Sequence, residues 1–227
     1  MCASKSVAVT GRYTIDATET TYDQYTAWLS TEPSMAVLPT YCTQIGDASA
    51  WKTGFNPGSG GTGGYPVANV DWCDAYGYCA GIGKRLCGKI GGGSVDFNTG
   101  LADITQSQWY SACVSGTADN VYPYGKTYIK YACNDSNNGL NATGIVGSNP
   151  GCTSSVTDFT GTYSMVGNVA EWEDSCDIPM GFQGANDDCP FRGGSFSENQ
   201  NDARCEMADG APRKYTNSHV GFRCCSQ

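Results

Sequence analysis

The chain has 227 residues, and its 13 Lys and Arg against 22 Asp and Glu give a formal net charge of -9. This length favours one domain over residues 1–227 with a sizeable core. The acidic charge argues against partners that present nucleic-acid phosphates or anionic lipids. No apolar run approaches the roughly 18 residues that span a bilayer, so we expect no transmembrane segment.

Three short helices and five short strands are predicted. In chain order they are a strand at 7–16, helices at 20–29, 71–80 and 105–113, and strands at 163–166, 170–173, 191–196 and 220–224. A Thr, an Asp and a Thr-x-x-Gln capping box supply the N-caps of the three helices. The connecting loops are long, and the chain contains 30 Gly. We therefore predict a loop-rich α+β fold of short helices and small antiparallel sheets, stabilised by disulfides.

The cysteines and the single histidine limit the possible chemistry. The 13 Cys are scattered along the chain, and the one His is His219. Zinc and iron–sulfur sites need clustered thiolates, so a disulfide framework formed in an oxidising compartment explains the cysteines better. We expect a secreted, extracellular or periplasmic protein in which Cys2 is the unpaired thiol. His219 lies in a polar stretch typical of a surface loop, and we expect it to have no catalytic part.

Seven motifs then occur in a fixed order along nearly the whole chain. They are Tyr13–Thr21, Tyr65–Trp72, Gly83–Leu86, Tyr122–Gly125, Met165–Trp172, Arg192–Phe196 and Gly221–Arg223. This series resembles the sulfatase-modifying-factor family, whose best-known member is the formylglycine-generating enzyme. The resemblance implies a C-type-lectin-related α+β fold with little regular secondary structure, in agreement with the loop-rich prediction.

The resemblance also identifies where metal-dependent oxidation would need its ligands. Formylglycine-generating enzymes carry two cysteines shortly after the Arg-Gly-Gly-Ser-Phe motif, and these thiolates bind Cu(I), a soft ion. The corresponding positions here, counted without gaps, are Glu198 and Ala203. Another branch of the family holds iron with three histidines, of which this chain has one. We therefore expect neither copper nor iron.

Structural calcium is the metal that the resemblance does imply. Its ligands would be the Glu171 carboxylate and the carbonyls of Ser164, Gly167 and Val169, which are hard oxygen ligands suited to Ca²⁺. The alternative is that Glu171 pairs with an arginine such as Arg192. A possible second calcium site would use Asn134 and the carbonyl of Asp135, but Gly147 stands where the family has a carboxylate.

Some disulfide pairings can also be suggested. The loops that they would close favour Cys133 with Cys152 and Cys176 with Cys189, and the resemblance implies Cys113 with Cys224. The other pairings stay open among Cys42, Cys73, Cys79, Cys87, Cys205 and Cys225. Adjacent Cys224 and Cys225 would point to opposite sides of a strand, so they should have different partners.

Two functions of different classes follow from these observations. The first is a non-catalytic, secreted or surface-exposed scaffold that displays loops for binding a protein or glycan, or for extracellular assembly. Its recognition surface would lie between residues 197 and 217 and would include Arg204, Lys214 and Tyr215. The alternative is a copper-dependent oxidase that acts on a substrate cysteine, which would require a reduced Cys205 beside Cys87 or Cys225.

Overall fold

A computed structural model describes residues 4–34, 36, 38–43, 62–178, 184 and 186–227. Its helices are α1 (Tyr22–Leu29), α2 (Thr40–Thr43), α3 (Trp72–Gly81) and α4 (Gln108–Cys113), with 3-10 turns at Ser136–Asn138 and Thr157–Phe159. Its strands are β1 (Ser6–Val9), β2 (Tyr13–Asp16), β3 (Arg85–Leu86), β4 (Ala170–Trp172), β5 (Asp188–Arg192), β6 (Ala208–Pro212), β7 (Val220–Gly221) and β8 (Cys224–Ser226). No helix among these described residues is long and apolar enough to cross a membrane.

The first sheet joins the two ends of the chain. Its strand order is β1-β2-β8-β3, and all its pairs are antiparallel. The strand predicted over 7–16 is a hairpin instead, because Thr10 and Gly11 adopt left-handed backbone angles (φ 49° and 68°) that end β1. The pairing of Ile15 with Cys225 places the last strand beside the N-terminal hairpin.

The second sheet carries the candidate site and has the order β6-β5-β4-β7. The expectation of antiparallel sheets is wrong for one pair here, because β4 and β7 run parallel. Strand β5 ends at Arg192 rather than continuing to Phe196, since Gly193 and Gly194 both have positive φ (82° and 65°). A Cβ at Gly193 would lie 2.4 Å from the Met165 carbonyl oxygen, so that turn must come close to the backbone of another loop.

Local capping chemistry sets the helix starts. Thr21 and Gln24 form a capping box at α1, and Asp71 and Asp74 form one at α3. Helix α4, predicted from residue 105, begins later than expected. Its N-cap is Ser107, because the Thr105 hydroxyl donates to Asp103 Oδ1 instead. The strand predicted at 163–166 is a turn in which Ser164 has a φ of 53°.

Two clusters of buried side chains form the core. The first contains Trp72, Trp172 and Phe222, and the second contains Trp109 and Met165. Four tryptophans of this core are at most 4% exposed, namely Trp28, Trp72, Trp109 and Trp172.

Six disulfides connect the loops to this core. They are Cys42–Cys73, Cys79–Cys224, Cys87–Cys225, Cys113–Cys205, Cys133–Cys152 and Cys176–Cys189. Cys133–Cys152 and Cys176–Cys189 are the pairs that the loops suggested, and Cys224 and Cys225 have different partners as expected. The pairing of Cys113 with Cys224 is wrong, because Cys113 and Cys205 lie in one cluster and Cys224 in the other. Cys2 lies outside the described residues.

Candidate functional site

Glu171, the expected calcium ligand on β4, is paired with Arg223. Its Oε2 accepts hydrogen bonds from Arg223 Nε (2.6 Å) and Trp109 Nε1 (2.8 Å), and its Oε1 accepts one from Arg223 Nη2 (2.7 Å). Both side chains are buried from solvent. The Arg223 guanidinium therefore neutralises the carboxylate in place, with the two-point geometry typical of strong Arg–carboxylate pairs.

This arrangement does not fit a calcium ion at Glu171. The Ser164 carbonyl, a second expected ligand, accepts a hydrogen bond from the same Arg223 Nη2 at 3.3 Å. A guanidinium thus faces two of the four groups that were expected to hold the cation. The other two, Gly167 and Val169, lie buried in the turn before β4. The alternative of an arginine partner fits, but Arg192 is not that partner, since it pairs with Glu173 at 3.2 Å.

The second expected calcium neighbourhood is held by hydrogen bonds. The backbone carbonyl of Asn134 accepts a hydrogen bond from Asn168 N (2.7 Å). The side-chain amide of Asn134 donates one to Asn168 Oδ1 (3.1 Å). Asp135 accepts from Asn137 N through Oδ1 and from Tyr128 Oη through Oδ2, both at 2.9 Å. Within the part of the chain that the structure describes, no group of three or more His, Cys, Asp or Glu could hold a metal ion.

Asn168 joins these two neighbourhoods and was missed by sequence reasoning as a connecting residue. Its amide donates to Glu19 Oε1 at 2.7 Å. Burial raises the pKa of Glu19 to about 7; the charge of Arg223 opposes this shift, and that of Glu171 adds to it. The Arg223 guanidinium thus interacts electrostatically with two buried carboxylates, those of Glu19 and Glu171. The available signal was the position of Asn168 inside the Met165–Trp172 motif, next to Gly167 and Val169.

The positions at which the family would bind copper carry other groups. Glu198 Oε2 accepts hydrogen bonds from Ser195 N (2.8 Å) and from the Ser195 hydroxyl, and Ala203 is buried. The oxidase alternative needed a reduced Cys205 beside Cys87 or Cys225. In the structure Cys205 is bonded to Cys113, while Cys87 and Cys225 are bonded to each other.

A cleft of about 190 Å³ opens directly beside these positions. We call it the β5 cleft; it is lined by Ala170, Phe191, Gly194, Ser195, Glu198, Asp202, Met207, Asp209, Tyr215, Asn217, His219 and Val220. Of the three residues expected on the recognition surface, only Tyr215 lines it. Arg204 lies alongside, paired with Glu206 at 3.0 Å, and Lys214 is exposed to solvent.

A chain of side-chain hydrogen bonds crosses the cleft wall. The Ser195 and Ser197 hydroxyls are 3.0 Å apart, and Ser197 Oγ is 3.1 Å from His219 Nδ1. The His219 ring also packs edge-on against Phe196, with centroids 4.8 Å apart. His219 contacts a hydroxyl through Nδ1, the nitrogen that a Ser-His-Asp triad gives to its acid, so this contact does not reproduce the triad geometry. Sequence reasoning placed His219 on a surface loop and missed its place in the cleft.

The chain is similar to a known protein family and to a curated protein. A family model described as "Sulfatase-modifying factor enzyme 1-like domain" matches residues 2–227. "Inactive C-alpha-formylglycine-generating enzyme 2" of Bos taurus is 30% identical over 194 residues, which cover 78% of this chain and 56% of that protein. The chain thus spans about half the length of this curated relative.

Solved structures with a similar fold include "Treponema denticola variable protein 1" and "Structure of PvdO from Pseudomonas aeruginosa". The first has a TM-score of 0.59 at 21% identity and covers 94% of this chain and 84% of its own. The second has a TM-score of 0.60 at 20% identity, and its match covers 94% of this chain and 79% of that protein. At these identities the likeness establishes the fold alone, so function must be argued from the site.

Proposed function

Because this chain belongs to the sulfatase-modifying factor enzyme 1-like family, we propose that it is a non-catalytic member of the family that acts as a binding module. The observation that carries the proposal is the absence of thiolates at the two copper positions. Glu198 occupies the first and accepts hydrogen bonds from Ser195. Ala203 occupies the second and is packed in the core. Thiolates are the ligands that Cu(I) requires. The related bovine protein is itself named inactive, which supports the same interpretation.

The proposal places the protein outside the reducing cytosol, as a secreted or surface-exposed domain over residues 1–227. Its support is the disulfide framework, which uses twelve of the 13 Cys. Glutathione and thioredoxin keep such bonds reduced in most cytosols, whereas secreted proteins retain them. The disulfides and the Glu171–Arg223 pair connect the loops of this scaffold.

The ligand would bind at the β5 cleft and the recognition surface that surrounds it. Tyr215 lines the cleft, and Arg204 and Lys214 flank it on the same segment of chain. Loops held by a rigid scaffold are where binding residues concentrate. A protein or a glycan at this surface, or a second copy in an extracellular assembly, would each use these residues.

Quantifying free thiols and bound metal in the native, full-length protein tests the proposal against the oxidase alternative. We expect about one free thiol per unfolded, unreduced chain, no copper, and no oxygen consumption with a cysteine-containing peptide after incubation with Cu(I). Three free thiols with one tightly held copper per chain, together with oxygen consumption, would overturn the proposal.

A further inference from the structure

The charge of the β5 cleft is unbalanced. Glu198, Asp202 and Asp209 all line it, and no Lys or Arg does. Among the described residues none of these three carboxylates has an ion-pair partner. Of the two cations that flank the cleft, Arg204 pairs with Glu206 and contacts Met207 Sδ at 3.5 Å, and Lys214 is exposed to solvent. Three buried carboxylates differ in this respect, because Glu171, Glu173 and Asp187 each have an arginine.

Two of the cleft carboxylates are held in position by neutral donors. Ser195 N fixes Glu198 Oε2 at 2.8 Å, and the Asn199 amide fixes Asp202 Oδ2 at 2.9 Å. Neutral donors orient a carboxylate without cancelling its charge. A cation that enters the cleft would therefore meet acceptors that are already placed, which lowers the entropy cost of binding.

The aromatic rings that line the cleft suit the remainder of a long basic side chain. The rings of Phe191 and Tyr215 are stacked, with centroids 6.0 Å apart and an angle of 10° between their planes. Aromatic faces attract cations, and apolar walls cover the methylene stem of Lys or Arg. Met207 adds an adaptable thioether to the same lining.

The volume of the cleft decides what size of group can enter. Sites for small molecules usually enclose about 300–1,000 Å³, whereas this cleft encloses about 190 Å³. It has room for one long side chain but not for an oligosaccharide. A neutral sugar would also leave the carboxylates without a partner for their charge.

We infer that the β5 cleft recognises a single arginine or lysine side chain on a protein partner. This inference rests on the proposed binding function and narrows its ligand from a protein or glycan to a protein with an exposed basic residue. The carboxylates bind the charged head, and the aromatic wall binds the stem.

Titration of the full-length protein with N-acetyl-arginine amide, followed by NMR or calorimetry, tests the inference. N-acetyl-citrulline amide is the matched probe, because it has nearly the same shape without the charge. We expect the arginine probe to bind saturably, at least about 10-fold more tightly than the citrulline probe, with affinity falling as salt rises. Equal binding of the two probes, no binding of either up to about 50 mM, or tighter binding of a neutral oligosaccharide would overturn it.

A pair of variants locates the binding to the cleft. Asp209→Asn removes one cleft charge with little change in shape, and Asp158→Asn removes the same charge from an exposed 3-10 turn that does not line the cleft. We expect the first to weaken the arginine probe by about 3- to 10-fold and the second to leave its affinity unchanged. Equal effects of the two variants would show attraction by the net charge of the chain and overturn the cleft assignment.

The two proposals can fail separately. If the protein has about one free thiol and no copper but does not distinguish arginine from citrulline, only the ligand class is wrong. If it has three free thiols and holds copper, the non-catalytic function is wrong, whatever the arginine probe does.

Discussion

Arg223 holds the Glu171 carboxylate by two hydrogen bonds, Nε to Oε2 at 2.6 Å and Nη2 to Oε1 at 2.7 Å. The same guanidinium donates to the carbonyls of Asp16 (3.1 Å) and Tyr163 (2.8 Å). It therefore connects β4 of the second sheet, β2 of the first sheet and the turn before β4. A motif position expected to bind a metal ion is used here to join the two sheets.

Loss of Arg223 should destabilise the fold strongly. Arg223→Met leaves the Glu171 charge buried without an opposite charge beside it. We expect a loss of about 3–5 kcal/mol in the free energy of unfolding. Glu171→Gln in the Arg223→Met background should recover part of that loss, because the unpaired charge is gone. Urea denaturation measures both changes.

The matched control is Lys126→Met, which breaks the exposed ion pair with Asp119. We expect no measurable change in the urea midpoint for this variant, since exposed pairs contribute little. If Arg223→Met shifted the midpoint no more than Lys126→Met does, the connecting role of Arg223 would be refuted.

Calcium should not stabilise the protein. The Glu171 carboxylate and the Ser164 carbonyl already accept hydrogen bonds from Arg223, so neither is free to bind the ion. We expect the thermal midpoint to be the same within about 1 °C in excess chelator and in millimolar Ca²⁺. A rise with Ca²⁺ that disappears in Glu171→Gln would mean that the ion displaces Arg223.

Stability should fall as the pH rises from about 4.5 to about 7. Glu19 has a folded-state pKa of about 7, above the value near 4.3 of an unfolded chain. The folded state therefore binds more protons across this window, and its stability decreases with pH at up to about 1.4 kcal/mol per pH unit for one group. Asp71, whose pKa burial raises to about 6, acts in the same direction.

Glu19→Gln identifies the share of this pH dependence that belongs to Glu19. The amide keeps an oxygen acceptor for Asn168 but does not titrate, so we expect a shallower decrease between pH 4.5 and 7 and greater stability than the unmodified protein at pH 8. Urea midpoints measured at half-unit intervals give both slopes. Identical slopes would show that Glu19 is ionised in the folded state throughout this range.

The disulfide between Cys113 and Cys205 should be found by peptide mapping without reduction. We expect a Cys113–Cys205 peptide and no Cys113–Cys224 peptide. Replacing both Cys113 and Cys205 by Ala should cost more than replacing Cys133 and Cys152, because the first pair is separated by 92 residues and the second by 19. Chain-entropy arguments put the two costs at about 4.6 and 3.2 kcal/mol. A larger loss of thermal stability for the Cys133 and Cys152 replacement than for the Cys113 and Cys205 replacement would contradict this assignment.

Much of the local structure followed from short stretches of sequence. A Thr and an Asp were expected to cap the helices predicted at 20–29 and 71–80. Thr21 and Asp71 do so, because an N-cap depends on residues close by in the sequence. The β5 boundary was misplaced because a strand pattern continues through Gly193 and Gly194. Only the contact of Gly193 with the Met165 carbonyl reveals why the chain must turn there.

The sequence by itself determined the family, the loop-rich α+β fold, and the absence of cysteine at positions 198 and 203. These depend on residue identity and order along the chain. The tertiary structure decided that Glu171 pairs with Arg223 rather than Arg192, that Cys113 pairs with Cys205, and that His219 lines a cleft with Glu198 and Asp209. Each of these depends on which core cluster or sheet edge brings distant segments together, and the balance of burial and charge that selects one partner exists only in the folded chain.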